Sequence, residues 1–562
     1  MLRLQVKQAM ADAVAIGRMW RYRSGGYEPS ERVVPSGERP AEKTRFDEAV
    51  AAAEKELETL ATSNDIFAAH LELAADPMLA QNVTEKIAAG MTSADAVHAA
   101  SDELAALFAQ IDDDYLRARA DDVRDVCRRI LRQLAPSEAN PFAAIPEGSI
   151  LAADELAPSD TVLIDFSRVR GVVTRRGSAT SHLAILARNM HLPAVVGLGD
   201  DFDSLTDGAV VVLDGEAGEL VVAPDEKAAA EYRRRMETAA VRSASVNARA
   251  SQPAVTRDGQ PVAVLANAGS VVEVERAIGG GADGIGLFRS EFLYMQRQDD
   301  FPDEAAQTAA YTEAAKFCGG RPLIIRTLDI GGDKALPYYK FPEEENPFLG
   351  WRAIRVSLEL RDMFRTQLRA ILRASAEGGV RVMFPMIVSL TELREALALL
   401  EECKEELRWQ KVPFDDRIPV GVMIETPAAV LMADELAAEV DFFSIGTNDL
   451  TQYVLAVDRG NQRIAAMYDT LHPAVMRAIK LTVDAAHRHG CEVGICGEFA
   501  GCAAHVELLV GLGLDELSVA PPAVSAIKER IRELETPKAG ATARSAVEAA
   551  TAEEVHALID PR

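Results

Sequence analysis

Eight short apolar segments, spaced about 20 to 55 residues apart, constrain this chain more than any other feature. They lie at 262–266, 284–288, 323–327, 380–384, 420–424, 442–446, 492–496 and 516–519. Between most of them apolar residues recur at steps of three and four, as at 364–375 and 391–407, which is the helical period. Eight strands alternating with helices over about 280 residues predict a (β/α)8 barrel of TIM type. In that fold the catalytic face is where strands end, and the polar residues here directly follow the strands.

The preceding half reads differently. Residues 41–140 have almost no glycine, and Phe46, Val50, Ala53, Leu57 and Leu60 keep helical spacing, as do Val123, Cys127, Ile130 and Leu134. This predicts a helical bundle. From about 141 to 224, short apolar runs at 161–166, 209–213 and 220–222 alternate with turn residues and one helix, predicting strands of a small α/β domain. A segment rich in Ala, Glu and Arg without Gly or Pro, 225–250, predicts a connecting helix, and the end of the chain reads as a plain helix or tail.

Charge narrows the partners. The chain has 562 residues with 87 acids against 60 bases, a net −27, and the bundle alone has 20 acids and 10 bases. Such a surface repels phosphate backbones, which argues against nucleic acid and for a basic protein partner. Hydrophobic residues make up 48%, enough for sizeable cores, yet no run approaches the roughly 18 apolar residues of a membrane span. The charged start, Met1 to Lys7, does not read as a signal peptide. Six cysteines without a Cys-x-x-Cys pair make neither a disulfide framework nor a zinc knuckle. These features predict a reduced, cytoplasmic protein without membrane insertion.

Four groups carry chemistry. In Gly177-Ser178-Ala179-Thr180-Ser181-His182, Thr180 or Ser181 can cap the helix that follows, placing His182 in its first turn. The positive helix end favours neutral imidazole and would stabilise an attached phosphate, with Thr180 able to orient one ring nitrogen. His182 is thus either a nucleophile or a helix-start bystander. Arg289, Arg326, Lys334 and Arg352 follow barrel strands, as guanidinium forks would for a ligand bearing phosphate and carboxylate; the alternative is ordinary pairing with acids. Glu425 and Asp449 each follow a strand with no His or Cys beside them, which suits Mg²⁺, or else a pair of salt-bridged acids. Cys496, flanked by glycines at a strand end, reads as open to substrate and able to donate a proton, or as one more buried apolar side chain.

Residues 171–197, with Thr-Ser-His and then Leu-Pro-Ala-Val-Val-Gly, closely resemble a swivelling phosphohistidine domain. Together with the runs at 284–293, 326–334, 346–352, 421–427, 444–453 and 494–501, the chain from about 40 to 540 resembles the enzyme I family of the bacterial phosphoenolpyruvate-dependent sugar phosphotransferase system. The resemblance implies a phosphohistidine domain at 1–40 and 141–224 and an inserted helical domain at 41–140. It implies a linker helix at 225–255, a phosphoenolpyruvate-binding barrel at 256–540 and a C-terminal helix or tail at 541–562. It further implies that His182 takes phosphate from phosphoenolpyruvate through its distal ring nitrogen, releasing pyruvate, and passes it to the phosphocarrier protein HPr, the first step of sugar uptake. Arg289, Arg326, Asn448, Asp449 and Arg459 would contact the substrate with Lys334 and Arg352 beside them. Glu425 and Asp449 would hold Mg²⁺, and Cys496 would be the proton donor.

HPr would dock on the bundle near 66–70 and 76–79, where His70 serves packing or docking, and a homodimer would form through the barrel. One departure is the start: Ala11 to Gly17 lacks the Ser-Pro-Gly-like turn of the family, a loss expected to distort the first strand and shift its boundary while leaving the chemistry intact. A pyruvate phosphate dikinase or phosphoenolpyruvate synthase-like enzyme, and a non-catalytic regulatory paralogue, are the alternatives.

Overall fold

The computed structural model describes residues 2–559 except 6–8, 11–13, 23–28, 31, 62–64, 110–113, 135–141, 157, 178–182, 184–186, 188–191, 216, 298, 333, 335, 337, 343, 460 and 462. The chain divides into two compact units, Met1–Val241 and Arg242–Arg562.

In the first unit, β1 (Leu2–Gln5), β2 (Ala9–Met10), β3 (Val14–Tyr22), β4 (Ser149–Ala153), β5 (Val169–Thr174), β6 (Ala194–Val195), β7 (Val210–Asp214) and β8 (Glu219–Val222) form one sheet. Its order is β1-β8-β7-β3-β4-β5-β6-β2. Despite its atypical lead-in, β3 lies inside the sheet, parallel to β4 and antiparallel to β7. Gly17 permits this, because a Cβ there would stand 2.5 Å from the Gly148 carbonyl oxygen. The run at 161–166 is not a strand. It folds as a helix, Pro158–Leu163, and a 3-10 turn, Phe166–Arg168, capped by the Asp165 carboxylate. A short apolar run has no period to tell helix from strand, and here Ile164 reaches the core from the link between the helix and the 3-10 turn.

Five helices, Arg39–Ala61, Asp65–Ala74, Pro77–Ala89, Ser93–Ala109 and Asp114–Leu134, intervene between β3 and β4. Phe46, Ala53, Leu57, Val83, Val97, Cys127 and Ile130 form their core. The third helix starts on Pro77 with the Asp76 side chain accepting from Met78 N, and stops at Gly90 in the left-handed region. His70 is fully buried, its Nε2 3.2 Å from Asp122 and its ring edge-on to Phe67. A helix then runs Glu226–Ala248.

The second unit is a closed barrel of eight parallel strands: β9 (Ala263–Ala268), β10 (Ile285–Arg289), β11 (Leu323–Arg326), β12 (Val380–Phe384), β13 (Val420–Ile424), β14 (Phe442–Gly446), β15 (Glu492–Cys496) and β16 (Glu516–Val519). Alternate residues divide between two cores. Leu287, Ile324, Met383, Met423, Phe442 and Cys496 pack together, and Leu323, Ile325, Val382, Val422, Ile445, Ile495 and Leu517 join the large core with the helices. The chain end is no loose tail. Helices Thr536–Glu548 and Ala552–Ile559 bury Ala539, Ala543, Ala546 and Val555, and Gly511 lies so near that its Cβ would strike the Ala539 carbonyl.

Candidate active site

Because the barrel is parallel, the C-terminal ends of its strands share one mouth. Arg289 and Arg326 are the last residues of β10 and β11, Glu425 immediately follows β13, and Cys496 ends β15. Asn448 and Asp449 occupy the first turn of helix Thr447–Leu455, directly after β14. Arg459 follows that helix, its Nη1 3.6 Å from Asp449 Oδ1.

At the centre of the mouth are two buried carboxylates that the sequence reading passed over. Asp329 Oδ1 accepts from Arg352 Nη2 at 3.0 Å, while its Oδ2 lies 3.2 Å from Arg326 Nη2 and 3.0 Å from Lys334 Nζ. Glu291 Oε1 accepts from Arg326 Nη2 and from Lys334 Nζ, the latter at 2.9 Å. Arg352 also donates to Tyr453 Oη at 3.1 Å and to Asp449 Oδ2 at 3.4 Å. Burial opposes the ionised form of Asp329, but Arg326, Lys334 and Arg352 outweigh it and hold the carboxyl below its ordinary range. Glu291 is lowered in the same way: burial opposes, and Arg326 and Lys334 prevail. The alternative of pairing with acids is therefore realised for Arg326, Lys334 and Arg352, but within the protein rather than on its surface. The clusters still leave the Nε atoms of Arg326 and Arg352 without hydrogen-bond partners among the described residues.

Glu425 and Asp449 behave differently. Glu425 Oε1 accepts from Met386 N at 2.7 Å, and Asp449 Oδ1 is buried without a hydrogen bond. Burial, then the charges of Asp449 and Asp329, push Glu425 up to about 8. Two buried carboxylates that repel each other, one with an oxygen that accepts no hydrogen bond, fit a hard divalent cation that takes one or two protein carboxylates and fills its shell with water and substrate oxygens. Among the described residues no three His, Cys, Asp or Glu side chains group into a fuller metal cluster. The backbone beside these groups is strained: Ala353, next to Arg352, and Met386 have φ of +54° and +56°.

Cys496 is buried at 2% exposure, against the expectation that its glycines leave it open, because a strand-end side chain pointing inward is covered by the barrel's inner core. Burial pushes its thiol up to about 11, partly offset by Ser444 and by the charges of Arg326 and Arg289. Gly497, with φ +119°, brings the chain so close to Thr447 that a Cβ would meet its Oγ1 at 2.3 Å. The mouth thus unites Arg326, Lys334, Arg352, Glu425, Asp449, Arg459 and Cys496, with Arg289 near enough to act on the thiol and Asn448 beside Gly497. His182 and Thr180 lie outside the described residues.

Three family profiles match the chain: "PEP-utilising enzyme, N-terminal" at 8–119, "PEP-utilising enzyme, mobile domain" at 145–218 and "PEP-utilising enzyme, PEP-binding domain" at 243–536. A phosphoenolpyruvate-protein phosphotransferase of Bacillus sp. (strain S) is 40% identical over 561 residues, spanning 98% of this chain and 96% of that one. The like-named protein of Geobacillus stearothermophilus is 41% identical, covering 98% and 96%, and that of Haloferax volcanii 43% identical, covering 92% and 91%. The chain belongs to the phosphoenolpyruvate-protein phosphotransferase family. Seen as a member of that family, its mouth shows which signals were readable. Glu291 and Asp329 stand inside the motif runs already singled out, three or fewer residues beyond a strand-end arginine. A rule of asking which acid neutralises each buried cation finds them. Gln367, which braces these loops from a helix, leaves no such mark.

Proposed function

We propose that this phosphotransferase moves the phosphoryl group of phosphoenolpyruvate onto His182, releasing pyruvate, and then onto a histidine of an HPr-type carrier. The observation that carries the reading is the convergence of arginines, paired carboxylates and one buried thiol at a single barrel mouth. Arg289, Arg326, Arg459 and Asn448, supported by Lys334 and Arg352, would grip the phosphate and carboxylate. A dissociative transfer asks chiefly for alignment and charge stabilisation, which preset guanidiniums supply. Glu425 and Asp449 would hold Mg²⁺, and a bound ion would neutralise charge on the phosphate and enolate oxygens.

The distal nitrogen of His182 attacks phosphorus as the bond to the enolate oxygen breaks. The enolate's methylene carbon then takes the Cys496 proton, giving pyruvate. A thiol pushed up to about 11 keeps its proton at neutral pH, as a donor must, and Arg326 and Arg289 stabilise the thiolate left behind. In the helical domain the acid excess, with exposed Met78 beside Asp76, suits a carrier with a basic face. No helix among the described residues is long and apolar enough to cross a membrane. We place the reaction in the cytoplasm, with sugar uptake as its purpose, and the active form as a homodimer joined through the barrel.

Radiolabelled phosphoenolpyruvate tests the reading. Label is expected on the protein in an acid-labile, base-stable form, absent in His182→Ala. Full labelling of that variant refutes the assignment.

A further inference from the structure

The two loops that carry the anion-binding arginines are tied together by a side chain that touches neither arginine's guanidinium. Gln367, on helix Arg361–Ala374, is completely buried. Its Oε1 accepts from Leu328 N at 2.9 Å, between Arg326 and Asp329. Its Nε2 donates to Ser290 Oγ at 3.0 Å, between Arg289 and Glu291, and to Tyr311 Oη at 3.3 Å. Ser290 Oγ in turn donates to the Arg326 carbonyl at 2.7 Å, so the β10 and β11 loops are bonded both directly and through the amide.

The direction of every bond is forced. A backbone N–H can only donate and a backbone carbonyl can only accept, so the Gln367 oxygen must face Leu328 and the Ser290 hydroxyl must spend its proton on Arg326. Ser290 is left as an acceptor, which the Gln367 amide satisfies. The outer end is anchored too: Tyr311 Oη and Tyr294 Oη donate to Gln307 Oε1 at 3.1 and 3.2 Å, and Gln307 Nε2 donates to the Pro302 carbonyl at 2.8 Å. Gln367, Ser290, Tyr311, Tyr294 and Gln307 are all buried to within 1%. A glutamine amide is suited to this place because it offers an acceptor and donors from one rigid plane.

We infer that Gln367 is a positioning residue for phosphoenolpyruvate: with Ser290 it sets the spacing of Arg289 and Arg326 and the seating of Glu291 and Asp329. This deepens the function proposed above and rests on it. Guanidiniums grip two anionic groups of one small molecule only at the right separation, and a displacement of about 1 Å can cost two orders of magnitude in rate. Carrier phosphorylation by the phosphohistidine does not use this mouth, so the brace should matter to one half-reaction alone.

The test compares full-length wild type, Gln367→Met, Ser290→Ala and the double variant. The readouts are pyruvate release against phosphoenolpyruvate concentration, and reverse labelling of the enzyme by phosphorylated HPr. The brace predicts that kcat/KM for phosphoenolpyruvate falls about tenfold in Gln367→Met and about threefold in Ser290→Ala, since each removes part of one alignment. The double variant should be no worse than Gln367→Met, because the two act as one unit. Reverse labelling should be unchanged. The inference is overturned if both single variants keep the wild-type kcat/KM for phosphoenolpyruvate, or if their effects multiply, or if reverse labelling falls in step. Ser290→Ala, which removes one hydroxyl, keeps the test open should Gln367→Met fail to fold. Failure of wild type to take label from phosphoenolpyruvate would instead sink the function itself.

Discussion

The two mouths of the barrel both bury carboxylates, and they treat them in opposite ways. At the C-terminal mouth Glu291 and Asp329 share Arg326, Lys334 and Arg352, and stay ionised although removed from water. At the N-terminal mouth a cavity of about 380 Å³ is lined by Arg381, Glu492, Asp515 and Glu516. There Arg381 is spent on Glu492 at 2.7 Å, and Glu516 keeps a sealed oxygen with no hydrogen bond. Burial pushes Glu516 up to about 7. Both ends contain buried acid, but only one has the cations to keep it charged. A preset field needs charge that persists without ligand, and that requires compensating partners from several loops. Glu425 is a third case: it is pushed up by a second carboxylate as well as by burial, a repulsion that a divalent ion would remove.

Three substitutions sharpen this contrast. Cys496→Ala should slow pyruvate formation by about 10²–10⁴-fold, the usual weight of a general acid. Reverse labelling by phosphorylated HPr should persist, and a variant that makes pyruvate at the wild-type rate removes the thiol from the mechanism. Asp329→Asn leaves two buried arginines and the partly exposed Lys334 short of one charge and should destabilise the barrel by about 3 kcal/mol, read from urea unfolding. A midpoint within error of wild type would mean that the cluster is not the electrostatic unit described here.

Glu516→Gln should have the smallest effect and the opposite sign. With its folded-state pKa raised above 4.5, Glu516 keeps a proton in the folded protein that the unfolded chain has already released. Stability should therefore fall as pH rises from about 4.5 to about 7 and level off above. The glutamine variant should lose that slope and be about 1–3 kcal/mol more stable at pH 8, with unchanged pyruvate release. An unchanged slope would show that Glu516 is ionised after all, and the contrast between the mouths would fail.

Much of this architecture was visible in the amino-acid order. Period and punctuation located all eight barrel strands to within a few residues, because a buried parallel strand must be a short apolar run and its covering helix must repeat every three to four. The charged residues of the mouth were equally visible one at a time, since arginines and acids directly after strands cannot avoid a barrel mouth. The small domain was harder. Its run at 161–166 carries no period and became a helix, while β3 mixes Arg18 and Arg21 into a strand inside the sheet and gave no clean alternation.

Partnership was beyond the reach of a one-dimensional reading. That Arg326 belongs to Glu291, that Arg352 meets Asp329, and that Gln367 reaches Ser290 are facts about side chains 23 to 77 residues apart. A cation's electrostatic state depends on which charges lie within a few ångströms, and only closure of the barrel sets those distances. Residue types and their order named the participants; folding chose their partners, and with them which carboxylates remain charged.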